Sequence, residues 1–394
     1  MSGVATLGPR PMRHFIVRLL AVGMLLHAYV AFRLLPDLPG RALWGWLGLA
    51  ALAASWVLIA RAFLRQRSRT GRAADALSWA GFLALGAFSS LLVLTAARDA
   101  ALLLAWLARL AAGAGPLPGP WLENSAAAVV AGAALASLAG LYGARRRAPV
   151  RRVDVALAGL PAAFEGFTIA QVSDLHVGPT IKRGYAQAVV DAVNRLGADV
   201  VALTGDLVDG TVAGLAPHVE PLSRLRARHG VYAVTGNHEY YSGAAEWVAE
   251  FRRLGMQVLL NRHEVIRRGE AALVLAGVTD YGAEAFDPRQ RSDPAAALAG
   301  APADAAVRIL LAHQPRSARA AAPAGYHLQL SGHTHGGQFL PWNFFVRMQQ
   351  PFTAGLHRLG GLQVYVSRGT GYWGPPKRLG APSEITLLRL TAAR

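Results

Sequence analysis

His333 and His335 stand two positions apart in Ser331-Gly-His-Thr-His-Gly-Gly-Gln338, and imidazoles so placed can hold a cation together. They need further donors, and four places upstream offer them: Asp174-Leu-His176, Gly205-Asp206, Gly236-Asn-His-Glu239 and His313. Asp174 and His176 are also two apart, so each pair is expected to present both side chains to one side of an extended backbone. Carboxylate, amide oxygen and imidazole suit a borderline or hard divalent ion such as Mn, Fe or Zn. The chain has no cysteine, which excludes a disulfide framework and a thiolate site and argues against copper(I) or iron–sulfur chemistry. Seven donors are too many for one zinc-like ion and suit two if one carboxylate bridges. Two ions about 4 Å apart can hold a hydroxide between them and clamp a phosphoryl group for in-line displacement.

The donors have to be delivered to one place by the elements before them. Each block follows a run of apolar, β-favouring residues, at 167–173, 199–204, 231–235, 307–312 and 326–330. In an open α/β sheet the strand ends gather at one edge, where ligands bind, so the five blocks read as one site. Helix-like stretches at 183–196, 216–228 and 244–254 alternate with the strands. Asp174, Asp206 and Asn237 recur at intervals of roughly 30 residues, the length of a βαβ unit. Shorter runs at 257–260, 272–278, 362–367 and 384–390 predict a mixed sheet or two packed sheets in an α/β domain over residues 153–394.

Residues 1–152 are different in kind. They hold 17 arginines, no lysine and only Asp37, Asp75, Asp99 and Glu123, so +13 of the net charge of +17 lies there. Four segments, 15–35, 42–60, 76–97 and 124–144, approach or exceed the roughly 20 apolar residues that cross a bilayer. Arg18, His27 and Arg33 interrupt the first; the other three carry no charge. Trp44, Trp46 and Trp79 suit interfacial anchoring or packing between helices. Residues 98–110 are too short to span and are expected along the interface as an amphipathic helix, before the turn-rich break at 113–120. A cleavable signal peptide is not expected, because further spans follow the long first segment. Basic charge beside apolar spans fits a membrane protein rather than a nucleic-acid binder. Arg10 and Arg13, then Arg61, Arg65, Arg67, Arg69 and Arg72, then Arg145, Arg146, Arg147, Arg151 and Arg152 outweigh Arg41, Arg98 and Arg109 on the other side. This bias predicts a multi-pass protein of the cell (inner) membrane with both termini and the globular domain in the cytoplasm.

The five blocks, in this order, resemble the signature blocks of the calcineurin-like metallophosphoesterase superfamily, and the resemblance covers Val153 to the carboxyl terminus. Gly332-His-Thr-His-Gly-Gly-Gln338, together with residues 375–386, is similar to a membrane-associated bacterial branch that includes UDP-diacylglucosamine pyrophosphatases. The resemblance implies mixed β-sheets packed together and flanked by helices, with a dimetal site at the strand ends. It implies that Asp174, His176 and His335 bind one ion, that Asn237, His313 and His333 bind the other, and that Asp206 bridges them. It implies that His238 is no ligand but a general acid facing the leaving-group oxygen, although positive ions nearby would favour its neutral form. Asp209 and Glu239 read either as partners of these imidazoles or as exposed turn residues. His218, His229, His263, His327 and His357 have no assigned role.

The expected activity is metal-dependent hydrolysis of a phosphoester or pyrophosphate bond in a lipid-linked or nucleotide-linked substrate, with the membrane as partner. Two alternatives remain: a phosphodiesterase of soluble nucleotides whose spans are only a tether, and a non-catalytic membrane sensor or scaffold with a structural metal site. Against the second, a structural site has no need of His238. The segment 339–352 carries Phe339, Leu340, Trp342, Phe344, Phe345, Val346, Met348 and Phe352, with only Arg347 charged. It either packs on its own domain or stays exposed as a lipid contact.

Overall fold

The computed structural model describes residues 9–65 and 71–393; Arg67 and Arg69, counted above for orientation, lie outside them. The chain divides into two compact units, a helical one up to Tyr142 that also takes in Gly374–Leu379, and an α/β one made of Gly143–Trp373 and the residues from Gly380 on.

The helical unit contains α1 (Pro9–Leu34), α2 (Arg41–Arg65), α3 (Arg72–Ala111) and most of α4 (Gly119–Arg145). All four are long and apolar enough to cross a membrane. His27, the interruption inside the first span, stacks on Phe88 with ring centroids 3.6 Å apart, and its Nδ1 lies 2.7 Å from the Gly23 carbonyl. The separate interfacial helix expected after residue 97 does not form, because α3 runs unbroken through Arg98 and Asp99. The reason is pairing across the unit. Arg98 donates to Ser125 Oγ and to the Arg33 carbonyl, both at 2.8 Å, and meets the Asp37 carboxylate, while Asp99 accepts from Tyr29 at 2.8 Å and Arg33 at 2.9 Å. Charges satisfied in this way can stay inside an apolar bundle without ending the helix. At 40 residues α3 is roughly 60 Å long, about twice the hydrocarbon core of a bilayer. In the same unit Lys377 donates to the Gly86 carbonyl at 2.6 Å and to Ser90.

The α/β unit runs β1 (Val150–Leu157), β2 (Thr168–Val172), α5 (Arg183–Asn194), β3 (Val200–Thr204), α6 (Val212–Val219), β4 (Val231–Val234), α7 (Asn237–Ser242), α8 (Ala244–Arg253), β5 (Gln257–Val258), β6 (Arg262–Arg268) and β7 (Ala271–Gly277). It continues through β8 (Val307–Leu311), α9 (Ala318–Ala321), β9 (Leu328–Ser331), α10 (Trp342–Gln349), β10 (Gly355–Leu359), β11 (Leu362–Val366) and β12 (Ile385–Ala392). One six-stranded sheet has the order β1-β12-β2-β3-β4-β5 and the other β10-β11-β9-β8-β7-β6. Both are mixed: β12 is antiparallel to β2, and β6–β7 and β10–β11 are antiparallel pairs.

Strand alternation explains the layers. From the first sheet Ile169, Val200, Ala202 and Val234 join Leu273, Leu275, Ile309 and Leu328 of the second in one buried cluster. Ala170, Val172, Val201 and Leu203 turn the other way, onto Val189 and Val193 of α5 and Trp247 and Phe251 of α8. The outer face of the second sheet packs Val274, Ala276 and Leu310 with Ala318 and Ala321 of α9. The block-bearing strands are β2, β3 and β4 in one sheet and β8 and β9 in the other, so the strand ends converge from two sheets rather than from one. The helix expected at 216–228 is instead α6, which contains Pro217, followed by a 3-10 turn, Glu220–Arg224, where Pro221 lacks an amide proton to continue the α-helical ladder.

Candidate metal centre

The donor residues leave their strands in an unusual backbone conformation. Asp174, His176, Asp206, His333 and His335 have φ of 53°, 51°, 53°, 68° and 52°. The extended backbone expected for the Asp174/His176 and His333/His335 pairs is therefore not how they are presented. A left-handed residue costs on the order of 1–3 kcal/mol and persists only where its surroundings over-determine it. Here the amides of Asp174 and His176 donate to the carbonyls of Gly205 and Asp206 at 3.0 and 3.1 Å, and the His333 amide donates to Asp174 Oδ1 at 2.9 Å. The strain turns side chains from neighbouring strand ends toward one another.

Among the described residues, two clusters are made of the sequence-identified donors alone, and a third joins His176 to Asp209 and His238. In the first, Asp174, His176 and His335 bring one ligand atom each within 4.8 Å of the others, with 3.0 Å between the two Nε2 atoms and 3.5 Å from His335 Nε2 to Asp174 Oδ1. In the second, His313 Nε2 lies 3.0 Å from Asp206 Oδ2 and 3.3 Å from His333 Nδ1. Gly236 lets the chain pass Asp206 closely, since a Cβ there would run into the Asp206 carboxylate.

The proton inventory fits cations. His313 Nδ1 sits 2.8 Å from the Thr204 carbonyl, a bond that puts a proton on Nδ1 and turns Nε2 onto an Asp206 oxygen; burial opposes charge on the ring, but the Asp206 carboxylate outweighs burial and raises its pKa, so a cation between the two would take the place of the Nε2 proton. His176 Nδ1 is likewise 3.0 Å from Asp209 Oδ1, which leaves its Nε2 bare toward His335. Asn237 Oδ1 is buried with no hydrogen-bond partner among the described residues. Ring nitrogens and carboxylate oxygens turned on one another, and a buried amide oxygen left without a partner, are what divalent ions would satisfy.

His238 follows Asn237 and lies beside both clusters, its ring 4.7 Å from that of His176. Its Nδ1 is 2.6 Å from Asp209 Oδ1, and its Nε2 is 3.9 Å from Asp206 Oδ2. Burial alone would lower its pKa, but the carboxylates of Asp206 and Asp209 outweigh burial and push it up to about 9. Cations in the two clusters would act in the opposite direction. Asp209 is thus no exposed turn residue: its side chain is 8% exposed and accepts from two imidazoles, and these overcome burial to hold it well below the usual carboxylate range. Burial keeps His333 down at about 3, with His313 adding to the effect, so its imidazole is neutral.

Glu239 is also internal. Its Oε2 accepts from the amides of Gly236 at 2.7 Å and Asp206 at 3.0 Å, and its Oε1 from Leu207 at 2.7 Å. Burial and the Asp206 charge raise its pKa to about 7 against these amides. Two residues not singled out from the sequence flank the candidate acid: Tyr241 and Trp373 stand edge-on to the His238 ring at 5.3 and 5.7 Å. Nothing local to Trp373 signals this, since it reaches the site from 135 positions away. The unassigned histidines lie elsewhere; His263 reaches the Ala297 carbonyl, His327 accepts from the Arg308 amide, and His229 stacks on Phe167.

Comparison with known proteins agrees with this geometry. A family model described as calcineurin-like phosphoesterase matches residues 167–337. A bovine transmembrane protein with metallophosphoesterase domain is 39% identical over 331 residues, covering 80% of this chain and 74% of that one. The zebrafish protein of the same description is 37% identical over 268 residues, 66% of this chain and 61% of its own length. An uncharacterized metallophosphoesterase of Helicobacter pylori J99 is 36% identical over 261 residues, 64% of this chain and 66% of that one. The relatives thus include animal as well as bacterial proteins.

Proposed function

This chain belongs to the calcineurin-like phosphoesterase family, and from that premise we propose that it is a membrane-anchored dimetal hydrolase of phosphoester or pyrophosphate bonds. Asp174, His176 and His335 would hold one divalent ion, Asn237, His313 and His333 the other, and Asp206 would lie between them. When bound, such ions supply Lewis acidity toward the phosphoryl oxygens and a water-derived nucleophile at neutral pH. The observation that carries the reading is the joint presence of two donor clusters and one further imidazole, held beside them by Asp209 with its Nε2 3.9 Å from Asp206 Oδ2. His238 is anchored through Nδ1 to Asp209, which leaves Nε2 to face the reacting centre. A proton on Nε2 is then available to the departing oxygen, and Asp209 holds the ring in place before and after transfer.

The four membrane-length helices favour a substrate met at the bilayer, lipid-linked or nucleotide-linked. The arginine bias favours a cytoplasmic α/β unit, in a cell (inner) membrane if the cell is bacterial. The test uses the full chain purified in detergent, freed of metal and resupplied with Mn, Fe or Zn, and given bis-p-nitrophenyl phosphate, a nucleoside diphosphate-linked lipid and a soluble nucleotide diester. Metal-dependent turnover of the generic diester supports the class. Turnover of the soluble nucleotide alone would reduce the helices to a tether, and a folded, metal-loaded protein inert toward all three would overturn the proposal.

A further inference from the structure

The α/β unit carries an apolar surface that its own core does not use. Helix α10 exposes Trp342, Phe344, Phe345 and Met348, the last three at 60%, 54% and 82%, and Leu340 just before it is exposed as well. The segment is nonetheless fixed at both ends. Phe339 is buried, the Trp342 amide donates to its carbonyl at 3.0 Å, and buried Gln350 exchanges hydrogen bonds with the Arg316 amide and the Gln314 side chain, both at 3.2 Å. The exposed face is therefore a held feature and not a frayed loop.

Its position ties it to the candidate centre. The turn His335–Gly337 abuts α10 so closely that a Cβ on Gly337 would collide with Asn343. Helix α10 thus begins seven residues after His335 and rests on the turn that carries that ligand.

We infer that α10 is an interfacial helix that docks on the lipid bilayer, with Phe344, Phe345 and Met348 entering the headgroup–acyl boundary. Three observations select a bilayer as the occupant. An aromatic and aliphatic face that includes an arginine, Arg347, has the composition of helices that lie in a membrane interface. Residues 331–383 contain no Asp or Glu, while Arg347 and Arg358 are exposed, a charge balance suited to anionic headgroups. The same chain has four helices long enough to cross a membrane, which keep a bilayer within reach at all times. Resting on the phosphoesterase reading, the inference adds a substrate class: an amphiphile whose phosphate reaches the centre from the membrane surface while its chains stay in the lipid beside α10.

The absence of cysteine makes the test direct. Met348→Cys in the full chain, labelled with an environment-sensitive fluorophore, is reconstituted into vesicles of four parts phosphatidylcholine to one part phosphatidylglycerol, with iodide available on both sides. Glu270→Cys, exposed in the β6–β7 turn, is the control. The label at 348 is expected to be quenched by doxyl-labelled lipid and shielded from iodide, and the label at 270 to behave in the opposite way. Iodide quenching at 348 equal to that at 270 overturns the docking. In parallel, Phe344→Ser with Phe345→Ser should raise KM for a long-chain lipid phosphoester in vesicles by about tenfold or more, and leave kcat and a short-chain soluble diester unchanged. An equal effect on both substrates overturns the substrate class. Failure of the unaltered protein to hydrolyse anything would remove the phosphoesterase reading and leave the quenching result to stand by itself.

Discussion

Glu239 holds Asp206 by its backbone: the carboxylate of one accepts the amide proton of the other at 3.0 Å and, through its remaining capacity, the amides of Leu207 and Gly236. One fully buried side chain therefore ties the loop after β3 to the loop after β4. Glu239→Gln keeps the shape but replaces an acceptor oxygen by an NH2 group, which would face a backbone amide. An unsatisfied buried pair of donors costs about 1–3 kcal/mol, so the melting temperature of the α/β unit should fall by several degrees. Scanning calorimetry of the purified chain measures this; an unchanged transition would show that the loops do not depend on the carboxylate.

The bond between Asp209 and His238 makes a statement about pH. A general acid must carry its proton, so kcat should be level below the pKa of His238 and decline above it. Asp209 raises that pKa, and Asp209→Asn removes the raising charge. The decline in kcat should then begin at lower pH, by about one unit or more, the scale of a lost neighbouring carboxylate. Superimposable profiles for the two proteins would exclude the positioning role of Asp209.

Asp206 and His238 should separate metal binding from proton transfer. Asp206→Asn takes one negative charge from between two cation sites, and elemental analysis of the purified variant should show metal lost along with turnover. His238→Ala should keep its metal and slow hydrolysis by about 10² or more, with a smaller defect for nitrophenolate than for alkoxide leaving groups. Metal-replete, fully active Asp206→Asn would move the bridging role elsewhere.

The arginine bias is tested in cells. Glu270→Cys in the α/β unit should resist an impermeant maleimide until the membrane is opened, whereas Gly115→Cys, exposed between α3 and α4, should react at once. Labelling at 270 in intact cells would reverse the orientation.

Much of the chain could be read from residue type and order. Asp174, His176, Asp206, Asn237, His313, His333 and His335 stand out because metal chemistry restricts the donors, and the strands before them because buried β-strands are apolar runs. The strands that escaped, β1, β6 and β10, are edge strands of their sheets, and the last two, Arg262–Arg268 and Gly355–Leu359, mix charge with apolar residues. An edge strand is half solvated, so its pattern lacks the signal of a buried one. Other features depend on partners far away in the chain. The left-handed turn at Asp174 rests on a bond from His333, the unbroken course of α3 on Asp37 and Arg33, and the place of Asp209 on imidazoles at 176 and 238. Local sequence sets what a residue prefers and what it can bind, whereas strain and buried charge persist only when groups brought in from elsewhere offset them, and that is decided by the tertiary fold.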